Sequence, residues 1–352
     1  MQSGRADSPA LSEFRRILVL NRSHIGDCLL TTPTLRALRR GMPRAHLGVS
    51  VPAANRDLLA CNPHIDEIVP RPRRTRWLQK FNFALEIRQW KPDLVISFQE
   101  KSIFYALATW YQRSALTLSL DHPRTRRFYD YTVPIPAGCH EVEKYLAVAD
   151  ALGCARDGRP VLELVTPVPA RESARRLLEE LGADPEERFI AINPGGTKPE
   201  KRWPVGRFAE VAEALQRELG LRVLIIGGPS DVENAVAIAA RCSRPSLIVA
   251  GRTTLGETAA CLERCTVFVT GDTGPMHMAV ALAVPVVSIF GPTNPIKFGP
   301  YTTLATVLRR EQPCSGCVQP CIHTISAAEV IAAALDQCPR APAMRNATRA
   351  SS

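Results

Sequence analysis

Short apolar runs alternate with longer amphipathic segments along most of this 352-residue chain. In the first half the apolar runs are RILVL, HLGVSV, DEIV, DLVISF and LTLSL, and in the second half RFIAINP, RVLIIGG, SLIVAG, TVFVTG and VPVVSIFG. The segments between the later runs predict helices over 204–219, 230–241, 255–264 and 274–283. Strands that alternate with helices in this way are typical of βαβ units around a parallel sheet.

The alternation stops once, at GCARDGRPVLELVTPVPA (153–170), where glycine and three prolines indicate a linker. The pattern therefore predicts an α/β protein with two Rossmann-like, doubly wound parallel-sheet domains facing a central cleft, over residues 15–165 and 166–338. Residues 1–14 and the tail 339–352 lack the pattern, and we expect both to be disordered.

The net charge of +10 is concentrated in the first half of the chain. Residues 1–165 carry 24 Lys and Arg against 16 Asp and Glu, whereas residues 166–352 carry 20 against 18. The densest clusters are RPRRTRWLQK (71–80) and HPRTRRF (122–128). Such clusters are either solvated faces or the contact surface for an anionic partner, which includes nucleic acid, a phosphorylated substrate and an acidic membrane.

The N-terminus, MQSGRADSPALSEF, lacks the apolar core of a signal peptide. No uninterrupted apolar run reaches the ~18 residues of a membrane-spanning helix. We therefore expect a cytoplasmic protein whose contact with a membrane, if it has one, is peripheral.

Eleven cysteines are scattered mostly singly, as expected in a reducing compartment. The exception is CSGCVQPCIH, which contains Cys314, Cys317, Cys321 and His323. These residue types bind zinc, but they are crowded into ten residues without the long separation of paired zinc knuckles. A loop rich in buried thiols is the favoured interpretation, and we predict that no metal is required.

Ligands of open parallel sheets bind at the carboxyl ends of the strands. Here those ends carry NRSHIGD (21–27), NPGGTKPEKRWP (193–204), GGPSDVENA (227–235), GDTGPMH (271–277) and GPTNP (291–295). Gly195, Gly196 and Thr197 suit a close approach of backbone N–H groups to an anion. An ordinary turn is the alternative for any one of these motifs, but four of them on one sheet edge favour a phosphorylated ligand.

Two further features of the second half suit the same ligand. Thr273 and Gly274 begin a predicted helix, whose first N–H groups and dipole favour negative charge. Lys201, before a Trp-Pro pair, is predicted to neutralise a diphosphate, and Lys198 is the competing candidate.

Three side chains have both a ligand-binding and a local interpretation. Glu233 suits the two hydroxyls of a ribose, but a carboxylate also suits the start of a helix. Asp272 either caps the next helix or contacts a sugar hydroxyl, and His277 is either a ligand contact or a packed helix residue. No GxGxxG or GxxxxGK[ST] motif follows a strand, so the sequence lacks the main evidence for a dinucleotide dehydrogenase or a P-loop enzyme.

Three long segments now carry a resemblance: ILVLNRSHIGDCLLTTPTLRALRRGMP, INPGGTKPEKRWPVGRFAEVAEAL and VFVTGDTGPMHMAVALAVPVVSIFGPTNP. Together they resemble glycosyltransferase family 9, the heptosyltransferases of the lipopolysaccharide core and their relatives. The similarity runs from about residue 15 to 338 in order. It implies the GT-B architecture, with an acceptor-binding domain over 15–165 and a nucleotide-sugar-binding domain over 166–338.

The resemblance also implies an activity and a site. The family transfers heptose from an ADP-sugar with inversion and without an essential metal. Its catalytic acid matches Asp27, its diphosphate-binding lysine matches Lys201, and its acid near the ribose matches Glu233. The remaining donor-binding residues that it implies, together with our own candidates, are Gly195, Gly196, Thr197, Asp272, Thr273, Gly274 and His277.

Asp27 is predicted to be the general base. An inverting transfer needs a group that takes the proton from the attacking hydroxyl, and cations or N–H groups that stabilise the departing diphosphate. On the acceptor side we add Ser23 and Gly26, the glycine leaving room for the sugar. The alternative is that Asp27 caps one long helix over CLLTTPTLRALRR. His24 departs from the small or hydroxylated residue of many relatives.

The basic first half then has a predicted partner, an anionic glycolipid on the inner face of the cytoplasmic membrane, rather than nucleic acid. Arg71, Arg73, Arg74 and Arg76 are predicted to attract this acceptor, with Trp77 at the membrane interface. The alternatives are a family member with another nucleotide sugar and another cell-surface glycan, and a non-catalytic nucleotide- or lipid-binding protein.

Overall fold

The computed structural model describes residues 13–71, 77–112, 115–156, 158–196, 198–310 and 321–338. The tail that we predict to be disordered and most of the segment 1–14 lie outside these ranges. Phe14, which the prediction placed in a disordered segment, is described and buried.

The first half of the described chain forms a parallel sheet of six strands in the order β3-β2-β1-β4-β5-β6. The central strands are almost completely buried because helices cover both faces of such a sheet, and their sequences are accordingly continuous apolar runs. The strands are β1 Arg16–Leu20, β2 His46–Pro52, β3 Glu67–Arg71, β4 Leu94–Ser97, β5 Leu116–Leu120 and β6 Tyr131–Val133. The helices between and after them are α1 Ile25–Leu30, α2 Thr32–Gly41, α3 Trp77–Trp90, α4 Ile103–Trp110 and α5 Glu141–Ala151.

The second half forms another six-stranded parallel sheet, in the order β12-β11-β10-β7-β8-β9. Its strands are β7 Phe189–Asn193, β8 Arg222–Ile225, β9 Leu247–Ile248, β10 Cys265–Gly271, β11 Val286–Phe290 and β12 Ala305–Arg309. Its helices are α6 Val168–Glu180, α7 Val205–Leu219, α8 Val232–Ala239, α9 Leu255–Glu263, α10 Gly274–Ala281, α11 Pro295–Phe298 and α12 Ala327–Gln337. We call the two halves the first and second lobes.

Local sequence explains where several of these helices begin and end. Thr254 caps α9 and Ser326 caps α12, each in a reciprocal capping box with a glutamate three residues later. The helix α7 ends at Gly220, whose φ of 69° is left-handed and favours glycine. Pro33 lies in the first turn of α2, which suits a proline because no hydrogen bond is lost there.

The structure differs from the predicted elements in three places. The segment predicted as one helix after Asp27 is two, since α1 ends at Leu30 and α2 begins at Thr32. The edge strands β6 and β12 were not predicted, and SLIVAG yields only the two-residue strand β9. These three strands lie at or next to the edges of the sheets, where burial and therefore apolar patterning are weakest.

The two lobes are joined by a continuous apolar core. One cluster of buried side chains extends from the helices under the first sheet, through α1 and α10, to the second sheet. Its members include Leu29 of α1 and Met276 of α10. The carboxyl ends of the strands in both sheets consequently face each other across the α1–α10 contact.

Candidate active site between the two sheets

Each sheet changes direction at one point, and these points position the candidate site. In the first sheet the strand order reverses between β1 and β4, and in the second between β7 and β10. Ligands of doubly wound sheets bind in the crevice at such a switch point. The turns after β1, β7 and β10 carry most of the predicted site residues. The turns after β1 and β10 meet at the interface between the lobes, and the turn after β7 contacts the one after β10.

Asp27 lies in the first turn of α1, just beyond β1. Its side chain is largely buried, and Oδ2 accepts a hydrogen bond from Arg22 Nε at 3.3 Å and lies 3.4 Å from His24 Nδ1. The alternative interpretation, in which Asp27 caps the helix, is wrong because the N-cap residue is His24. The carboxylate is held by basic side chains at the carboxyl end of the first sheet.

Burial and nearby cations have opposite effects on the pKa of Asp27. Burial raises this pKa, but the hydrogen bond from His24 and the charge of Arg22 together lower it by more, so it lies below its ordinary value. Asp27 is therefore ionised at neutral pH, which is the state required to accept a proton from a hydroxyl.

Arg22, which contacts Asp27, is part of a chain of buried charged side chains. Arg22 Nη1 lies 3.5 Å from Oε2 of Glu100, which is completely buried just beyond β4. Lys144 Nζ donates to Glu100 Oε1 at 3.0 Å and to Glu141 Oε2 at 2.9 Å. Sequence reasoning missed Glu100. The available signal was a carboxylate two residues after the apolar run DLVISF, which contains the second strand of the switch point.

Arg71 does not belong to an exposed basic cluster, which corrects the prediction. Its side chain is buried, with Nη1 donating to the carbonyl oxygen of Asn21 at 2.7 Å and Nη2 to Ser23 Oγ at 2.8 Å. Its guanidinium also lies over the ring of Tyr105. Arg71 therefore fixes the turn that contains Ser23, while Arg73, Arg74 and Arg76 lie outside the described residues.

Lys201 and Asp272 meet on the second lobe. Lys201 Nζ donates to Asp272 Oδ2 at 2.6 Å, with both side chains partly exposed. Lys198, the competing candidate, is more exposed and lies 3.8 Å from Glu200. The two residues that the resemblance assigns to the donor are thus adjacent, although they come from the separate turns after β7 and β10.

Thr273 is the N-cap residue of α10, but its hydroxyl contacts the sheet instead of the helix. Oγ1 lies 3.0 Å from Thr270 Oγ1 and accepts a hydrogen bond from Asn193 Nδ2 at 3.3 Å. Gly274 begins the helix against Ile25 of the first lobe, which would lie 2.7 Å from a Cβ at that position. Glycine is therefore required there by the close approach of α1.

The glycine turn after β7 is more internally bonded than predicted. The Gly195 N–H donates to Asn193 Oδ1 at 2.9 Å, so in this structure it does not point freely at an anion. The carbonyl oxygen of Gly196 accepts a hydrogen bond from Arg202 Nε at 2.9 Å. Thr197 lies outside the described residues.

Glu233 is exposed in the first turn of α8. The carboxylate that organises the preceding turn is instead Asp231, which is buried and accepts a hydrogen bond from the Gly228 N–H at 2.8 Å. Glu233 is thus left accessible at the carboxyl end of β8, in agreement with either of its two interpretations.

His277 lies where the two lobes touch. The buried ring packs against Gly26, whose position for a Cβ lies 2.5 Å from His277 Cδ2. Burial lowers the pKa of His277 to about 4, although Asp272 and Asp27 both act in the opposite direction. The imidazole is therefore neutral at pH 7. The space beside Gly26 that we predicted for a sugar is filled by the His277 ring.

We predict that Gly26→Ala destabilises the contact between the lobes. The new methyl group overlaps the buried His277 ring, and overpacking of this kind costs about 1–3 kcal/mol. Urea denaturation measures the loss. Gly206→Ala is the matched control, since nothing but the far end of Arg241 lies near that position in α7. A loss no larger than the control's, or no recovery in the Gly26→Ala/His277→Ala double variant, contradicts the contact.

The predicted cysteine cluster falls only partly within the structure. Cys321 and His323 lie in a short 3-10 helix, whereas Cys314 and Cys317 are outside the described residues. Within the described part of the chain, no group of three or more His, Cys, Asp or Glu side chains is arranged to hold a metal ion. The same described residues contain no helix that is both long and apolar enough to cross a membrane.

Comparison with known proteins agrees with the resemblance. Residues 81–324 match glycosyltransferase family 9 (heptosyltransferase). Lipopolysaccharide heptosyltransferase 2 of Salmonella typhimurium is 29% identical over 314 residues, which cover 84% of this chain and 88% of that protein. Lipopolysaccharide heptosyltransferase 3 of Escherichia coli is 27% identical over 289 residues, which cover 79% of this chain and 83% of that protein.

Solved structures agree with the fold. The glycosyl transferase family 9 structure from Veillonella parvula has a TM-score of 0.85 at 28% identity, covering 92% of this chain and 97% of that one. The ADP-heptose lps heptosyltransferase II of E. coli has a TM-score of 0.78 at 23% identity, with coverage of 92% and 98%. The predicted α/β class and the implied GT-B architecture are confirmed.

Proposed function

The chain belongs to glycosyltransferase family 9, and from this premise we propose that it transfers a heptose or related sugar from an ADP-sugar to a lipopolysaccharide core acceptor, with inversion. The observation that carries the proposal is the contact between α1 and α10, in which Gly26, next to Asp27, packs on His277, and Gly274, two residues after Asp272, packs on Ile25. The acid of the first lobe and the Lys201–Asp272 pair of the second therefore lie on either side of one interface.

Each residue has a role in this proposal. Asp27 accepts the proton of the acceptor hydroxyl as the hydroxyl oxygen attacks the anomeric carbon from the face opposite the diphosphate. Lys201 and the first N–H groups of α10 stabilise the negative charge that develops on the departing diphosphate. Because these groups supply positive charge themselves, the proposed reaction requires no metal. Glu233 binds the ribose hydroxyls, and His277 positions the two lobes.

Names of the relatives support the choice of donor and acceptor. Two solved structures in the comparison are described as an E. coli heptosyltransferase with ADP and with ADP-2-deoxy-2-fluoro heptose. The curated relatives are named for lipopolysaccharide and lipooligosaccharide. We propose by extension that this protein works at the cytoplasmic face of the membrane, where an anionic glycolipid acceptor is presented.

A donor panel tests the proposal. Calorimetry with ADP-heptose, other ADP-sugars, and UDP-, GDP- and dTDP-sugars identifies the nucleotide, and product analysis with heptose-free core acceptors identifies the reaction. We expect ADP-heptose to bind and to be consumed only with acceptor present. Transfer from a different nucleotide sugar supports the alternative family member. Tight donor binding with no transfer to any acceptor supports the non-catalytic alternative.

Lys201→Ala is predicted to weaken donor binding. Loss of a hydrogen bond to a charged group costs about 1.5–3 kcal/mol, which corresponds to roughly 10–100-fold in the donor Kd. The measurement is calorimetric titration with the ADP-sugar. Lys198→Ala is the matched control, because Lys198 precedes it by three residues and is more exposed. If Lys198→Ala shows the larger loss, Lys198 is the diphosphate ligand and the assignment of Lys201 is wrong.

A further inference from the structure

Helix α4 of the first lobe exposes large apolar side chains on one face. Ile103 and Leu107 are each 43% exposed, Trp110 is 51% exposed, and Tyr111 just beyond the helix is 39% exposed. Their spacing of four, three and one residues places them along one side of the helix. We call these four residues the α4 face. A contiguous apolar surface of this kind is typical of an interaction site.

The other side of α4 accounts for its place in the fold. Ala106 and Thr109 are buried, and Tyr105 packs its ring edge to face on Phe83 of α3. The helix is thus anchored to the first lobe by one side. The four residues of the α4 face lie on the opposite, exposed side of the helix.

Cations surround the α4 face. Among the described residues, the segments next to it expose the basic side chains of Arg88, Lys101, Arg124, Arg126 and Arg127, and the acidic side chain of Glu86. The guanidinium of Arg88 lies 5.1 Å from the centroid of the Tyr111 ring. Arg126 and Arg127 belong to a short 3-10 helix that contacts α4. A nearby acid, Asp121, already accepts a hydrogen bond from Arg126 at 2.8 Å.

This combination selects one kind of partner. Aromatic rings and aliphatic side chains at the centre with Lys and Arg around them match the headgroup region of an anionic bilayer, where apolar groups insert and cations meet phosphate. We propose that the α4 face binds the surface of an anionic membrane. Arg71, the described member of the predicted cluster at 71–76, is buried and does not belong to this surface.

The α4 face is directly connected to the candidate active site. Glu100 comes just before Lys101 and the N-cap of α4. Thr125, which precedes the basic 3-10 helix, donates a hydrogen bond from Oγ1 to the carbonyl oxygen of Glu100 at 2.5 Å. The Glu100 side chain contacts Arg22, which contacts Asp27. These contacts link α4 to the proposed base, so a lipid acceptor in a membrane bound at the α4 face would be delivered to Asp27. This step, a lipid acceptor delivered to Asp27, rests on the proposed function; membrane binding itself does not.

Vesicle flotation of the full chain tests the proposal. We expect binding to vesicles of phosphatidylglycerol and phosphatidylethanolamine, much weaker binding to phosphatidylcholine alone, and release by salt. The double variants Ile103→Ser/Leu107→Ser and Arg124→Glu/Arg127→Glu should each reduce partitioning roughly tenfold or more. The matched controls are Val168→Ser/Val236→Ser and Arg176→Glu/Arg217→Glu, which make the same changes at exposed positions of the second lobe.

Three outcomes would overturn the proposal. In the first, the wild-type protein does not bind anionic vesicles. In the second, the α4 variants bind as well as their controls. In the third, the wild-type protein forms oligomers in the absence of vesicles and the α4 variants do not. The last result would make the face a contact between copies of the chain. Transfer to a delipidated, water-soluble acceptor separates this proposal from the proposed function. Activity there without vesicle binding rejects only the membrane surface, and vesicle binding without activity rejects only the transferase.

Discussion

We expect Asp27→Asn to lower kcat/KM for sugar transfer by roughly 10²–10⁴-fold, the range for removal of a general base. An amide cannot accept the proton of the acceptor hydroxyl, yet it retains the size of the carboxylate and an oxygen that can accept the Arg22 Nε–H. The donor contacts lie on the second lobe, so the Kd of the ADP-sugar should stay within about twofold. Steady-state transfer assays and calorimetry on the same preparation measure both quantities.

The control for this result is another Asp→Asn exchange in the same lobe. Asp150→Asn removes an exposed ion pair with Arg156 on α5 and should leave transfer unchanged. A parallel loss of donor affinity in Asp27→Asn would mean that the residue binds or organises the donor site. Undiminished transfer would remove Asp27 from the mechanism altogether, and with it the reason for placing the acceptor on the first lobe.

The state of Asp27 also explains why its surroundings are basic. A carboxylate buried without a partner becomes protonated at neutral pH and cannot act as a base. Arg22 and His24 prevent this, because they lower the pKa of Asp27 despite its burial. The same contacts make Asp27 a weaker base than an isolated carboxylate. The proposed transfer reaction would therefore depend on strong stabilisation of the leaving diphosphate, which is the role proposed for Lys201 and the N-terminus of α10.

The sequence was sufficient to predict the sheets because their central strands are buried on both faces. Runs such as RILVL and TVFVTG are continuous apolar segments for that reason, and the strands β1 and β10 follow them closely. The strand β6 has no such signal, since it lies at the edge of the first sheet with Tyr131 exposed. Patterning thus identified the central strands, and with them the turns at their carboxyl ends that carry the candidate site, whereas the strand order came from the structure.

Contacts between distant segments could not be predicted in the same way. Arg71 is part of a basic run and looks exposed in sequence, but the carbonyl oxygen of Asn21 and the Ser23 hydroxyl bind its guanidinium in the interior. The packing of His277 on Gly26 depends on how the lobes meet, which no local pattern encodes. In both cases the tertiary contact, and not the residue type, determines the role.

Glu100→Gln is expected to destabilise the protein by about 1.5–3 kcal/mol. The carboxylate is completely buried and contacts both Arg22 and Lys144, so the neutral amide weakens two charged contacts in a poorly solvated interior, while Asp27 and Glu141 still pair with the two cations. Urea denaturation measures the loss. Glu86→Gln, an exposed position on α3, makes the same chemical change and should have almost no effect.

A second substitution distinguishes charge imbalance from a packing defect. Lys144→Met should cost less stability in the Glu100→Gln background than in the wild-type protein, because the contact between Lys144 and Glu100 is already weakened there and only the contact with Glu141 is lost in full. Strictly additive losses would mean that the buried charges are independent of one another. The coupling matters for catalysis because Arg22 contacts both Glu100 and Asp27. We expect Arg22, held by Glu100 as well as by Asp27, to keep the carboxylate of Asp27 ionised and in one orientation while the acceptor binds.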